Sequence, residues 1–130
     1  MTAQSVHRRL REFREAFDKP ESLARPEISH GRLLMMTRPG KQHQLVAHRL
    51  RVQLDPQLDP DLVLMLGTDM EDAALGILRV PDLVVVDEEE ATADSDAIDP
   101  RRCHLVIEIC RLGITFTSDA EAAPRSDPAV

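Results

Sequence analysis

The chain has 130 residues, enough for one domain with a real core and too few for two. It holds no Trp, no Tyr and 3 Phe, so the core must be Leu, Val, Ile and Met, and aromatic stacking on bases is nearly excluded as a binding mode. The net charge of -7 conceals a divided molecule: residues 1–54 carry 11 Lys/Arg against 5 Asp/Glu, residues 55–130 carry 5 against 18, so a basic half is left to attract phosphate.

Along the chain, "HRRLREFREAFD" (7–18) sets Leu10, Phe13 and Phe17 at i, i+3 and i+7 among arginines, which predicts an amphipathic helix. A proline-bounded connector follows, then "EISHGRLLMMT", two short strand pieces around a Ser-His-Gly turn. "RPGK" breaks the chain again. Val46, Leu50 and Leu54, four apart, predict a helix of about three turns over "KQHQLVAHRLRVQL", ended by Asp55-Pro56.

From there the pattern turns to strands: "LVLML" (62–66), "LGILRV" (75–80), "DLVVV" (82–86) and "HLVIEI" (104–109). Runs that are apolar at nearly every position predict strands covered on both faces, with the helices packed on the sheet. Residues 87–100, "DEEEATADSDAIDP", read as a solvated acidic loop. The expected architecture is a single α/β or α+β domain over 1–116, helices first and a central mixed sheet after, with a disordered tail at 117–130.

Cys103 and Cys110 fit no disulfide framework and no CxxC metal pattern. No signal peptide is visible and no segment nears the ~20 apolar residues of a membrane span, so a soluble, cytoplasmic protein is expected.

The chemistry concentrates on carboxylates. Asp82 opens one apolar strand and Glu108 interrupts another; about 20 residues join the two strands, enough to let them lie side by side. Two carboxylates on neighbouring strands make a hard-oxygen site suited to Mg²⁺ or Mn²⁺, an ion that activates water and stabilises charge on a phosphodiester under attack. The plainer alternatives are a strand cap for Asp82, a solvent-facing position for Glu108 and a surface position for Glu27, a third candidate. His43, Lys41 and Arg49 are candidate DNA contacts. His43 and His48 are five apart, so they do not form the i, i+4 metal pair, and solvated helix positions are the alternative. Arg8, Arg9, Arg11 and Arg14 could meet nucleic acid or simply form an exposed helix face.

Taken in order, "PEISHGRLLMMTRPGKQHQLVAHRLRVQL", "VPDLVVV" and "HLVIEI" resemble the Uma-two family of restriction endonucleases, in the PD-(D/E)XK nuclease superfamily. The match runs through Glu27, Gly31, Leu33, Pro39, His43, Val46, Leu50, Pro81, Asp82, Leu105, Val106 and Glu108, over residues 26 to 109. The resemblance implies a restriction-endonuclease-like core, a mixed sheet flanked by helices, with Mg²⁺ (or Mn²⁺) held by Asp82 and Glu108 and with Glu27 contributing. It also implies Mg-dependent hydrolysis of DNA, with DNA as partner; a homodimer is an assembly open to the alternative reading that follows. A non-catalytic DNA- or protein-binding module derived from the same fold is the alternative.

The chain departs from the family pattern after Glu108, where relatives continue with Ser-Pro, a lysine-bearing helix and a further strand. No lysine follows Lys41 here. A coding run GAG ATC GTG TCG CCT GGG, Glu-Ile-Val-Ser-Pro-Gly, becomes Glu-Ile-Cys-Arg-Leu-Gly on loss of the valine codon's first G, which is the sequence of residues 108–113. Residues 110–130 are therefore expected to be an out-of-frame tail, the sheet to lack its last strand and helix, and catalysis to be impaired.

Overall fold

The computed structural model describes residues 2–110 and 113–117. Helix α1 (Ala3–Ala16) is followed by the hairpin β1 (Glu27–Ser29) and β2 (Arg32–Leu34), then α2 (Lys41–Leu54). Strands β3 (Leu62–Leu66), β4 (Met70–Asp72), β5 (Ile77–Arg79) and β6 (Leu83–Asp87) come next. A single helical turn, α3 (Glu88–Ala91), and a long connection lead to β7 (Cys103–Cys110) and β8 (Gly113–Thr117). No helix among the described residues is long and apolar enough to cross a membrane.

Local chemistry explains the punctuation. The β1–β2 hairpin turns on His30 and Gly31, with φ of 47° and 81°, the doubly left-handed geometry that matches strand twist in two-residue hairpins. Thr2 caps α1 by accepting from the Ser5 N–H at 3.1 Å. The predicted α2 has the observed bounds, and Asp55-Pro56 turns it into one turn of 3₁₀ helix.

The strands form two four-stranded sheets, in the orders β2-β1-β5-β4 and β3-β6-β7-β8, and every strand pair is antiparallel. This corrects the expected single mixed sheet. Parallel neighbours need a crossover, usually a helix, between strands of one sheet. The long helix α2 instead links β2 in the first sheet to β3 in the second, so no βαβ unit arises.

The two sheets meet at Val80-Pro81-Asp82, where β5 runs into β6. Proline has no N–H for a ladder, and the buried Pro81 marks the point where the chain leaves one sheet for the other. Coverage on both faces holds. Leu83, Val85, Leu64 and Ile107 pack on one face against Ala47, Leu50 and Leu54 of α2. Val84, Val86 and Val106 pack on the other against Met70 and Ile98. The second cover comes from β4 and from the acidic connection, including Ala91 of the single-turn α3, and not from a long helix. Residues 87–100 are thus more than a solvated loop: they contain α3, and Ile98 is buried beside Met70.

Two further expectations change. Helix α1 buries His7 and Arg14, while Phe13 is 52% exposed. The reason is pairing across the fold: Arg14 Nη1 and Nη2 donate to the two carboxylate oxygens of Asp69 at 3.1 and 3.0 Å, and His7 meets Glu71 at 2.7 Å. Residues 113–117, expected to add no strand, form one: β8 pairs antiparallel with β7 from Val106–Thr117 to Cys110–Gly113. The remainder of the expected tail, 111–112 and 118–130, lies outside the described residues.

Candidate functional site

Register places the two strand carboxylates together. In the β6–β7 ladder Val84 faces Val106 and Leu83 faces Ile107, so the next step sets Asp82 against Glu108. Glu108 alternates onto the face of Val106, and Asp82 lies just ahead of β6, at the junction between the sheets. Glu27 arrives from the first sheet. It starts β1, and its Oε2 accepts from the Val80 N–H at 2.9 Å, tying it to the junction just ahead of Asp82.

Asp82 is held at both oxygens. Oδ2 accepts from the Ile109 N–H at 2.7 Å, and Oδ1 lies 2.7 Å from His43 Nε2. His43 sits in the first turn of α2, on the stripe with Ala47, Leu50 and Leu54, so the packing of that helix on the sheet aims the imidazole at Asp82. A histidine on an apolar stripe at 43, 47, 50 and 54 was the signal in the sequence for this contact. The candidate DNA contacts Lys41 and Arg49 are exposed on the same helix. Of the four α1 arginines, Arg14 is buried on Asp69 and Arg11 pairs with Glu71 at 3.2 Å, which leaves Arg8 and Arg9 exposed.

Glu108 carries the electrostatic cost of this gathering. Burial first, then the negative charges of Asp82 and Glu27 and a hydrogen bond with Asp82, push its carboxyl up to about 8, against a smaller pull downward from Arg79. At neutral pH the group therefore keeps its proton. Arg79 itself went unnoticed in the sequence, because one arginine ending a short apolar run looks like any strand-edge residue. Among the described residues no group of three or more His, Cys, Asp or Glu side chains stands ready-made to hold a metal ion.

A family model, Uma2, described as "Putative restriction endonuclease", matches residues 10–111. The chain belongs to the Uma2 family. That span takes in Glu27, His43, Asp82 and Glu108, and the α+β architecture of two antiparallel sheets with a few helices is consistent with a restriction-endonuclease-like fold. Comparison with curated proteins and with solved structures gave no significant match. Membership in Uma2 supports a nuclease-like domain.

Proposed function

We propose that this Uma2 domain hydrolyses DNA phosphodiesters with a divalent cation, Mg²⁺ or Mn²⁺, taken by Asp82 and Glu108, and that it does so weakly. The observation that carries this reading is the gathering of Glu27, Asp82 and Glu108 at one strand junction, tight enough to hold a proton on Glu108 at neutral pH. Such a cluster holds more negative charge than Arg79 offsets, and a divalent cation would supply the balance.

The donor set fits the ion in kind. Mg²⁺ is held by one or two protein carboxylates and keeps several waters for itself, so a ready-made cage is not required. Asp82 and Glu108 supply hard oxygens from two rigid central strands, and Glu27 adds negative charge at the edge. When bound, the cation polarises the phosphate and lowers the pKa of a coordinated water. The protein's own tasks are then to release the Glu108 proton, to hold Asp82 oriented through the Ile109 N–H and His43, and to keep the phosphate at the open end of the strands. No lysine follows Lys41 to steady the developing phosphate charge, which is the reason for expecting a slow enzyme.

Supercoiled plasmid incubated with Mg²⁺ or Mn²⁺ tests the reading. Slow nicking by the wild-type chain, lost in Asp82→Ala and Glu108→Gln, is expected. Nicking that persists unchanged in both variants would sink it, and fast nicking lost in Asp82→Ala would overturn the impairment.

One observation favours a second reading, a non-catalytic DNA-binding module: both oxygens of Asp82 are already engaged within the protein. Arg8, Arg9, Lys41 and Arg49 are exposed on the basic half and could meet a phosphate backbone. A salt-sensitive gel shift without metal, with no nicking under any divalent ion, is its signature.

A further inference from the structure

The carboxylate junction contains one cation that the fold leaves unused. Arg79 ends β5, three residues before Asp82. In the β1–β5 ladder Ile28 faces Leu78, so the next step sets Arg79 against Glu27, and its positive charge also reaches Glu108. Even so, Arg79 forms no ion pair with any carboxylate among the described residues, and its Nε is buried without a hydrogen-bond partner.

The buried guanidinium of Arg14 is treated differently. Arg14 donates to Asp69 through both terminal nitrogens and to the Pro26 carbonyl through Nε, and Arg25 meets the same Asp69 at 3.2 Å. A buried donor left without an acceptor is costly. An arginine whose charge reaches Glu108 and that bonds to no carboxylate among the described residues can receive an acceptor from outside. An anionic acceptor suits the guanidinium best, and an anion entering a negative site does so more readily in company with a cation. A phosphodiester paired with a divalent ion meets both conditions, and the planar guanidinium suits phosphate oxygens in particular.

We propose that Arg79 grips the scissile phosphodiester of bound DNA, donating hydrogen bonds to its nonbridging oxygens and supplying the positive charge that the three carboxylates lack. It exchanges no proton; its contribution is charge and orientation. This role rests on the nuclease reading above, and its test is separable from that of the reading.

The measurement is binding of a short DNA duplex to the full chain in Ca²⁺, followed by fluorescence anisotropy across a salt series, for wild type, Arg79→Met and Arg79→Lys. Arg79→Met is expected to weaken binding about tenfold. It should also lower the salt slope by about one, as loss of a single phosphate contact does, while Arg79→Lys restores the slope. In the wild-type protein the Arg79 Nε–H resonance should shift on adding duplex. A merely structural role would move neither slope nor resonance. If Arg79→Met does not fold, as judged by circular dichroism, Arg79→Lys and the resonance decide. Wild-type affinity and slope in Arg79→Met, or an unmoved Nε–H resonance, overturn the proposal even where plasmid nicking stands. Absence of nicking overturns the nuclease reading, while affinity, slope and resonance still judge Arg79.

Discussion

The carboxylates beside β4 and those at the β5–β6 junction are treated in opposite ways. At β4, Asp69 and Glu71 are met by Arg14, Arg25, Arg11 and His7, with contacts of 2.7 to 3.2 Å. At the β5–β6 junction, Glu27, Asp82 and Glu108 gather with His43 on Asp82 at 2.7 Å, while no arginine or lysine among the described residues forms an ion pair with any of the three, Arg79 included. The first region is a clamp that fastens α1 to the first sheet. The second is a charge imbalance maintained by backbone register. The contrast shows that the chain has arginines to spare for neutralising carboxylates, so the imbalance at the junction is a property of the site and not of a general shortage of cations.

The largest expected effect breaks the clamp. Arg14→Met leaves Asp69, whose side chain is 9% exposed, with only the half-exposed Arg25 for company. Removing one partner of a buried ion pair strands the other charge, and a loss of about 3 kcal/mol is expected in urea unfolding. A loss below about 1 kcal/mol would mean that the clamp is ornamental and that the two regions differ less than their geometry says.

A second experiment relieves the imbalance. Glu108 sits at about 8 in the folded chain against its ordinary 4.5, so between those values the folded protein holds a proton that the unfolded chain has released. Its contribution to stability is therefore full below about 4.5 and is lost as the pH rises through about 8. Melting temperatures of wild type and Glu108→Gln should diverge as pH rises from about 6 to about 9, with the variant the more stable at the alkaline end. A millimolar divalent cation should recover part of the wild-type loss at alkaline pH, because binding to the folded state alone stabilises it, and should do little for Glu108→Gln. Parallel pH profiles for the two proteins would show that the junction carries no imbalance.

What the sequence made visible followed from locality. Strand β3 and helix α2 were read with their observed bounds because short-range periodicity and Gly, Pro and Asp punctuation define them. Asp82 and Glu108 stood out because a carboxylate in an apolar strand is costly. What stayed hidden depends on distant partners. Strand β4, "MED", has no apolar alternation and is kept in place by its pairing with β5 and by arginines of α1 some 55 to 60 residues away. Strand β8 was missed because the codon argument treated its segment as noise, although backbone pairing with β7 asks little of sequence.

Phe13 gives the smallest effect and the clearest test of how α1 is oriented. Periodicity assigned it to the core with Leu10 and Phe17, and a buried phenylalanine truncated to a small residue loses about 3–5 kcal/mol. In the structure the ring is 52% exposed and stacks on Phe17, with centroids 5.6 Å apart and planes 18° from parallel. Such a pair is worth about 0.5–1.5 kcal/mol where it is well packed, and less where half the ring meets water. Phe13→Ser is therefore expected to cost under about 1 kcal/mol in the urea assay used for Arg14→Met. The ordering matters more than either value. If the arginine substitution costs more than the phenylalanine one, α1 is held by its charges, as the matched acidic region implies. If the order is reversed, the helix is turned the other way, its arginines face solvent, and the contrast between the two acidic regions collapses.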